Sequence, residues 1–298
     1  MRKYQISEDF HLLSHYKAPM NNVVLPVLKF GSLLLDLKIK RTEGIIISEE
    51  EIDSFDGHKL KALIFQPQEG KDFPCLVYYH GGGFVTRAIS LHYELAQRYA
   101  KNTNCVVVLV DYRLSPKYQY PIPENDCFET YKWVLANSDK LKINCDKMAI
   151  GGDSAGGSLT LSTLRRIIDD NIVKPRGQML IYPVIDNKEN RPSMETYQDT
   201  PVWNAVNNHK MWEYHLNNQN FDDPFNDKYM VKSYIEIAEY DCLHDEGKDY
   251  YQFLNENHVD VILHEPKGTI HGYDFILRSD ITKDSIKRRI NFLNELFK

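Results

Sequence analysis

The hydrophobic positions of the chain alternate between short continuous runs and longer stretches with helical spacing. Apolar runs at 75–79 and 105–110 have the length of ordinary strands and are typical of strands buried on both faces. Helices are predicted at about 91–101 and 124–137, and apolar residues recur with helical spacing over 159–168. Strands alternating with helices in this way predict an α/β fold with a mostly parallel central sheet and helices on both faces.

The ends of the chain and one internal segment depart from this alternation. Apolar runs at 45–47 and 60–65, joined through Asp56-Gly57, predict a hairpin ahead of the parallel strands. Residues 1–43 are amphipathic and predict helices, with Ser7 as a candidate cap of the first; they either cover a site or fill a plain hydrophobic face. In residues 186–226 Asn, Asp and Pro become frequent, which predicts an insertion. Further elements complete the pattern: strands at 147–150, 178–183, 234–239 and 259–264, and helices at 245–255 and from about 280.

The composition of the chain limits the classes of partner it is expected to bind and the cellular compartment in which it is expected to occur. The 298 residues are 42% hydrophobic, enough for a sizeable core, and carry a net charge of -6. That charge argues against nucleic acid or an anionic membrane as a partner. Five scattered cysteines without a C-x-x-C pair predict reduced, buried thiols in a cytoplasmic protein. Residues 1–9 predict no signal peptide, and the apolar stretch 23–39 is too interrupted to predict insertion into a membrane.

One short motif predicts a nucleophile at the end of a strand. Gly152, Ser154 and Gly156 form a G-x-S-x-G pattern between the strand at 147–150 and the helix that follows. A sharp turn there lifts the serine Oγ clear of the sheet, and the helix N-terminus directs free N–H groups at an oxyanion. Taken alone, the pattern is equally compatible with an ordinary turn or a phosphate-type loop. Asp153, beside the serine, receives no role from the sequence.

A second motif supplies candidate oxyanion donors. Three glycines, Gly81 to Gly83, follow His80 at the end of a buried strand. Without side chains, their N–H groups are unshielded and a substrate carbonyl can come close. Together with the N–H of Ala155, they predict an oxyanion hole. The alternative is a flexible turn.

A serine nucleophile also needs a base and an acid that orients the base. Asp241 comes at the end of the strand over 234–239, where the carboxyl edge of the sheet places a functional acid. Its rival Asp245 lies where a helix begins, so capping is its natural role. His271 follows the last strand and adjoins a glycine, which makes it the candidate base. His264 lies within that strand, and His244 beside a helix.

Together these segments resemble the hormone-sensitive-lipase family of α/β-hydrolases, the bacterial esterases in particular. His80-Gly81-Gly82-Gly83-Phe84 resembles the family's HGGG motif, and 152–157 its GDSAGG motif. Residues 111–116 and 241–246 resemble its DYRLAP and DPLRDE segments, although Cys242 and His244 replace the usual proline and arginine. Residues 271–273 resemble the stretch with the catalytic histidine. The resemblance implies Ser154 as nucleophile, Asp241 as acid, His271 as base, and Gly82, Gly83 and Ala155 as oxyanion donors.

The resemblance also implies an organisation and an activity. The expected α/β-hydrolase catalytic domain comprises 44–185 and 227–298, with an N-terminal helical cap segment at 1–43 and a cap insertion at 186–226. The expected activity is that of a carboxylesterase acting on small-molecule esters with short acetyl- or butyryl-type acyl chains, without a cofactor or metal. A homodimer is a further family-based expectation. The residues expected to contact the substrate are Phe84, Trp203 and Met211.

Two other classes of protein stay open at this point. A peptidase or amidase could use the same three side chains, although the chain is too short for the large extra domain of prolyl-oligopeptidase-type relatives. A non-catalytic binding module is the second alternative, since plant gibberellin receptors share the fold and lack the catalytic histidine. The presence of Ser154, Asp241 and His271 together favours the enzyme.

Overall fold

The computed structural model describes residues 3–16, 18, 20 and 41–298. In this part of the chain, eight strands form one sheet in the order β1-β2-β4-β3-β5-β6-β7-β8. The strands are β1 (Ile45–Asp53), β2 (Lys59–Pro67), β3 (Phe73–Tyr79), β4 (Val106–Asp111), β5 (Ile143–Asp153), β6 (Gly177–Ile181), β7 (Lys232–Glu236) and β8 (Val261–His264).

The sheet is antiparallel at one edge and parallel elsewhere. β2 pairs in antiparallel fashion with both β1 and β4, whereas every other pair of neighbours is parallel. The strand β3 lies inside the parallel part, where Leu76 is opposite Val107 of β4 and Ala149 of β5. Parallel strands covered on both faces carry continuous rather than alternating apolar residues. The predicted fold class is confirmed.

The described helices alternate with these strands along the chain. They are α1 (Ser90–Thr103), α2 (Ile122–Ala136), α3 (Ser138–Leu141), α4 (Ala155–Asp169), α5 (Pro192–Thr196), α6 (Ala205–Leu216), α7 (His244–Glu256) and α8 (Asp280–Leu296). Short 3-10 helices add Glu8–Leu13, Asp227–Tyr229 and Tyr273–Phe275.

Two layers of helices cover the sheet, one on each face. Side chains of a strand alternate between faces, so Leu76 and Tyr78 of β3 join one core with α1 and α8. Cys75, Val77 and Tyr79 join the opposite core with α2 and α4. The consequence is that the carboxyl ends of the parallel strands stay open between two packed layers, and the loops that follow them meet there.

Some element boundaries differ from those expected. The strand β6 ends at Ile181 instead of 183, because Tyr182 adopts a φ of 33° that does not continue a ladder. β7 likewise ends at Glu236 instead of 239. Ser7 does accept a bond from the Asp9 N–H (3.4 Å), but the helix it precedes is of 3-10 type. The second helix expected before 43 lies outside the described residues.

The described N-terminal residues contact the segment 186–226, which contains α5 and α6. The N–H of Ala18 donates to the carbonyl of Val202 (3.1 Å), and the N–H of Val202 donates to that of Tyr16 (2.6 Å). Asn207 of α6 also donates its side-chain amide to the Ala18 carbonyl (2.9 Å). These contacts tie the two segments together beside the sheet. The domain boundaries themselves stay a prediction.

The cysteines and the helices bear on two further expectations. All five cysteines lie in the described part of the chain, none is paired, and four are buried. Burial raises the pKa of the Cys105 thiol to about 12 and that of Cys75 well above its ordinary value. The thiols of Cys75 and Cys105 are therefore protonated and belong to the core.

Over the described ranges, no helix has the length and apolar character needed to cross a bilayer.

Candidate active site

The turn between β5 and α4 holds Ser154 in a strained backbone conformation. Its φ and ψ are 53° and −122°, a region that residues with side chains adopt only where the surrounding fold enforces it. A Cβ at Gly156 would lie 1.9 Å from the carbonyl oxygen of Tyr79, and one at Gly152 would lie 2.3 Å from that of Gly156. The glycine spacing of the motif is therefore a packing requirement of this turn.

Three side chains predicted from the sequence meet at this turn. His271 Nε2 lies 2.9 Å from Ser154 Oγ, and His271 Nδ1 lies 2.7 Å from Asp241 Oδ2. The other carboxylate oxygen, Oδ1, accepts the N–H of Leu243 at 3.1 Å. Because that bond fixes the carboxylate plane, Oδ2 is aimed at the imidazole. All three groups are buried, with exposed fractions of 5% or less.

The backbone brings the acid and the base together after their strands have ended. Asp241 follows β7 and His271 follows β8, and an isolated bridge pairs Tyr240 with Ile270 immediately before them. The rival acid Asp245 lies elsewhere: its Oδ2 accepts the N–H of Ser193 at 2.8 Å. Asp245 therefore serves the first turn of α5 and does not contact the imidazole.

The glycine loop after β3 lies beside the serine. Gly82 and Gly83 have φ values of 117° and 59°, in the region that favours glycine. Among the described residues, none accepts a hydrogen bond from the N–H of Gly82, Gly83 or Ala155. Ala155 is the first residue of α4, where N–H groups have no partner within the helix. This edge of the sheet thus collects free donors next to a serine paired with a histidine.

Residues 76–275 match the sequence profile of a family described as alpha/beta hydrolase fold. The chain belongs to this alpha/beta hydrolase fold family. It is 28% identical to an ethyl acetate hydrolase of Pseudomonas putida, over 83% of this chain and 80% of the relative. It is also 28% identical to the carboxylesterase NlhH of Mycobacterium tuberculosis, over 76% and 75% of the two chains.

Solved structures agree with this assignment. An esterase of Pyrobaculum calidifontis superimposes with a TM-score of 0.85 at 25% identity, covering 98% of this chain and 99% of the other. The esterase LipW of Mycobacterium marinum reaches a TM-score of 0.91 at 22% identity, over 98% and 96%. The expected relation to the bacterial esterases of the hormone-sensitive-lipase type and the expected enzyme class, an esterase, are confirmed.

A charged network that the sequence did not predict holds the glycine loop of this alpha/beta hydrolase. Asp153 Oδ2 accepts the N–H of Gly81 (3.1 Å) and faces His92 Nε2 (3.3 Å), while Oδ1 accepts the hydroxyl of Tyr78 (3.0 Å). Burial would raise the pKa of Asp153, but the charge and hydrogen bond of His92 outweigh it and lower that pKa. Burial would lower the pKa of His92, and Asp153 reverses this.

The network therefore joins α1 to the residue before the nucleophile through the contact between His92 Nε2 and Asp153 Oδ2. A signal for it was available in the sequence, since an aspartate at the end of a buried strand needs partners. The identity of those partners was not, because His92 lies 61 residues away. His80 lies beside the pair, and burial followed by the charge of His92 lowers its pKa to about 3.

A second buried cluster contacts the imidazole of His271 through the ring of Tyr182. The ring of Tyr182 lies 4.7 Å from that of His271, and its hydroxyl donates to Asp274 (2.6 Å). Arg289 of α8, which is fully buried, pairs with the same aspartate (2.8 Å) and with Glu236. Burial would raise the pKa of Glu236, but the charge of Arg289 lowers it. The sequence signal for this cluster was the lone arginine on the apolar face of the last helix.

The residues expected to contact substrate occupy different places. A Cβ at Gly83 would lie 2.8 Å from the Trp203 ring and 3.6 Å from Met211, so both side chains stand over the glycine loop. The Trp203 ring is also 5.9 Å from that of His271. Phe84 is fully buried, and its ring is stacked on His215.

Across the described ranges, no group of three His, Cys, Asp or Glu side chains is placed to hold a metal.

Proposed function

We propose that the chain hydrolyses short-chain acyl esters through a covalent acyl-enzyme. The observation that carries the proposal is the continuous line of hydrogen bonds from Ser154 through His271 to Asp241. It lies next to three N–H groups that are free among the described residues. A nucleophile, a base, an orienting acid and oxyanion donors are the parts that acyl transfer needs.

The first half of the reaction forms the acyl-enzyme. His271 Nε2 takes the proton of Ser154 as Oγ bonds to the ester carbonyl carbon, and Nδ1–H donates to Asp241 throughout. The carbonyl oxygen becomes an oxyanion that accepts the N–H groups of Gly82, Gly83 and Ala155. Each such donor contributes roughly 3–4 kcal/mol to the transition state. The tetrahedral intermediate collapses, and His271 passes its proton to the departing alcohol.

The second half repeats the attack with water. The imidazole of His271 removes a proton from water as its oxygen bonds to the acyl carbon, and the same donors stabilise the second oxyanion. Collapse breaks the bond to Ser154 Oγ, which recovers the proton from His271. The acid is released and the resting hydrogen bonds re-form.

The preference for short acyl chains rests on the wall above the glycine loop. Trp203 and Met211 are so close to Gly83 that even one added methyl group would meet the indole at 2.8 Å. Both side chains are buried, with exposed fractions of 5% and 0%, so neither lies loosely at the surface. A substrate carbonyl held by the loop therefore has little room on this side. The ethyl acetate hydrolase among the relatives is named for a short ester.

The nucleophile is tested by Ser154→Ala with p-nitrophenyl acetate and a fluorophosphonate probe. Loss of Oγ is expected to abolish labelling and to lower kcat by a factor of about 10⁶. Ser158→Ala is the matched control, since this serine is also buried and lies in the helix that follows Ser154. Undiminished turnover by the Ser154 variant would overturn the assignment. Peptide substrates run in parallel distinguish an amidase, and probe silence in the wild type distinguishes a binding module.

The short-chain preference is tested by Trp203→Ala across p-nitrophenyl esters from acetate to laurate. Removing the indole opens the wall over Gly83, so kcat/KM for longer chains is expected to rise relative to acetate by about tenfold. That change corresponds to roughly 1.4 kcal/mol, the burial of one to two methylene groups. A wild type that prefers laurate, or a variant with an unchanged profile, would contradict this account of the pocket. Val206→Ala, an exposed position on α6, provides the control.

A further inference from the structure

A histidine of the helix α6 is stacked on the residue that follows the glycine loop. The rings of His215 and Phe84 are 3.8 Å apart between centroids and nearly parallel, at 4°. Both residues are fully buried. Phe84 comes directly after Gly83 and has a φ of 58°, a conformation that a residue with a side chain keeps only when its surroundings impose it. The stacked imidazole is one such constraint.

The imidazole is itself fixed at both nitrogens. His215 Nδ1 lies 3.1 Å from Ser115 Oγ, and Nε2 lies 2.9 Å from Glu124 Oε1. The hydroxyl of Ser115 donates to the Tyr118 carbonyl (3.1 Å), so its oxygen accepts from Nδ1–H. The N–H of Ser115 donates to the Phe84 carbonyl at 2.9 Å. The ring and the backbone of Phe84 are thus tied to one cluster.

This cluster resembles a serine–histidine–carboxylate set but cannot act as one. Ser115 and His215 are fully buried and Glu124 is 2% exposed, so no ester reaches the hydroxyl. The serine proton is directed at a carbonyl rather than at the imidazole. A positioning role is what this geometry supports, because three elements converge on one loop residue: α6, the start of α2 and the loop after β4.

We infer that His215 is a positioning residue that holds Phe84, and through it the N–H groups of Gly82 and Gly83, in the geometry that receives the oxyanion. This inference rests on the proposed function. It assigns Phe84 to the support of the loop instead of to contact with substrate. It also couples the segment 186–226, which carries α6, to the catalytic geometry, so that a displacement of α6 changes the rate of the chemical step.

The test compares His215→Gln and Phe84→Leu, singly and together, with the wild type. Glutamine keeps a polar partner for Glu124 but removes the stacked ring, and leucine removes the ring from the other side. Each single variant is expected to lower kcat for p-nitrophenyl acetate about tenfold with KM changed less than about twofold, since a misplaced donor is felt in the transition state. The kcat of the double variant is expected to be no lower than that of the less active single variant.

A second readout separates positioning from loss of fold. A trifluoromethyl ketone forms a tetrahedral adduct with Ser154 whose oxyanion occupies the same donors, so its affinity is expected to fall by the same factor as kcat/KM. His209→Gln is the matched control: this histidine is on the same helix, its side chain is 66% exposed, and it pairs with Glu189. That variant is expected to keep the wild-type kcat and inhibitor affinity.

Several outcomes would overturn the inference. An unchanged kcat in Phe84→Leu and His215→Gln would do so, as would a loss confined to KM or additive losses in the double variant. If His215→Gln fails to fold, Phe84→Leu decides by the same criteria. A wild type without esterase turnover would overturn the proposed function and this inference with it. An active wild type, silenced by Ser154→Ala but insensitive at positions 84 and 215, would overturn the inference alone.

Discussion

Lowering the pH is expected to destabilise the protein through His80, the residue that immediately precedes the three glycines of the loop. The side chain is fully buried and its ring is stacked on that of Tyr112 at 4.3 Å. Nδ1 donates to the Gly81 carbonyl (2.7 Å), while Nε2 has no partner among the described residues. Burial, followed by the neighbouring charge of His92, lowers the pKa of His80 from 6.5 to about 3. The native protein therefore needs this imidazole neutral.

The magnitude follows from the two pKa values. Between pH 6.5 and about 3, the unfolded chain binds a proton at His80 that the folded chain does not, so stability falls as pH falls. The slope is roughly 1.4 kcal/mol per pH unit, which amounts to about 2 kcal/mol at pH 5. The raised pKa of His92 contributes stability that is complete below pH 6.5, and the lowered pKa of Asp153 contributes stability that is complete above its ordinary value of 3.8. Between about pH 6 and 5 neither contribution changes appreciably.

The measurement is the free energy of unfolding in urea at several values between about pH 7 and 5, for the wild type and His80→Asn. The side-chain amide of asparagine can take the position of the imidazole Nδ1–H. It can therefore keep the hydrogen bond to the Gly81 carbonyl, and it does not titrate. The variant is expected to be less stable at neutral pH and to lose about 2 kcal/mol less than the wild type by pH 5. His264, whose pKa burial also lowers, adds to both curves equally. Ser158→Ala, which changes no titratable group, is expected to follow the wild-type slope. Parallel curves for the wild type and His80→Asn would refute the reasoning.

Two further substitutions test the elbow and the acid. Asp241→Asn is expected to lower kcat about 10⁴-fold while the fold persists, because the amide favours the wrong imidazole tautomer; Asp245→Asn, away from the imidazole, is the control, and equal losses in ester assays would contradict the choice of acid. Gly156→Ala is expected to lower kcat at least about 100-fold and to destabilise the chain by about 1–3 kcal/mol, because its Cβ would lie 1.9 Å from the Tyr79 carbonyl oxygen. Thermal melts and ester turnover measure both effects, and wild-type values in both would show that the turn has room for a side chain.

The residues that meet at the site could be predicted because short segments of the sequence identify them. Each of Ser154, Asp241 and His271 follows a strand whose hydrophobic run is evident, and the carboxyl ends of parallel strands share one edge of a sheet. Chain order and the ends of the strands therefore restrict which residues can meet at the serine. The turn glycines were equally evident, because only small residues allow so close a crossing.

What could not be predicted depends on contacts between distant parts of the chain. The pair of Asp153 and His92 joins residues 61 positions apart, and the pair of His215 and Glu124 joins residues 91 apart. Neither residue type nor spacing identifies such a partner, since buried charges recruit whatever group the topology brings near. The early end of β6 at Ile181 has a similar origin, because a positive φ in a tyrosine is imposed by tertiary packing.

These unpredicted contacts hold the glycine loop in position, which the glycines themselves cannot do. A donor that is free to receive an oxyanion has, by definition, no partner of its own, so its position must be held by its neighbours. The loop is held at both ends: Asp153 accepts the N–H of Gly81, and the cluster of His215 holds the ring and carbonyl of Phe84. The N–H groups of the two glycines between these anchors have no acceptor in the described part of the chain, while the residues on either side are bonded to the surrounding fold. On the proposed mechanism, catalysis requires little reorganisation of the loop, because the loop is already ordered in the folded chain. Hydrogen bonds to Asp153 order it on one side, and the stacked imidazole of His215 orders it on the other.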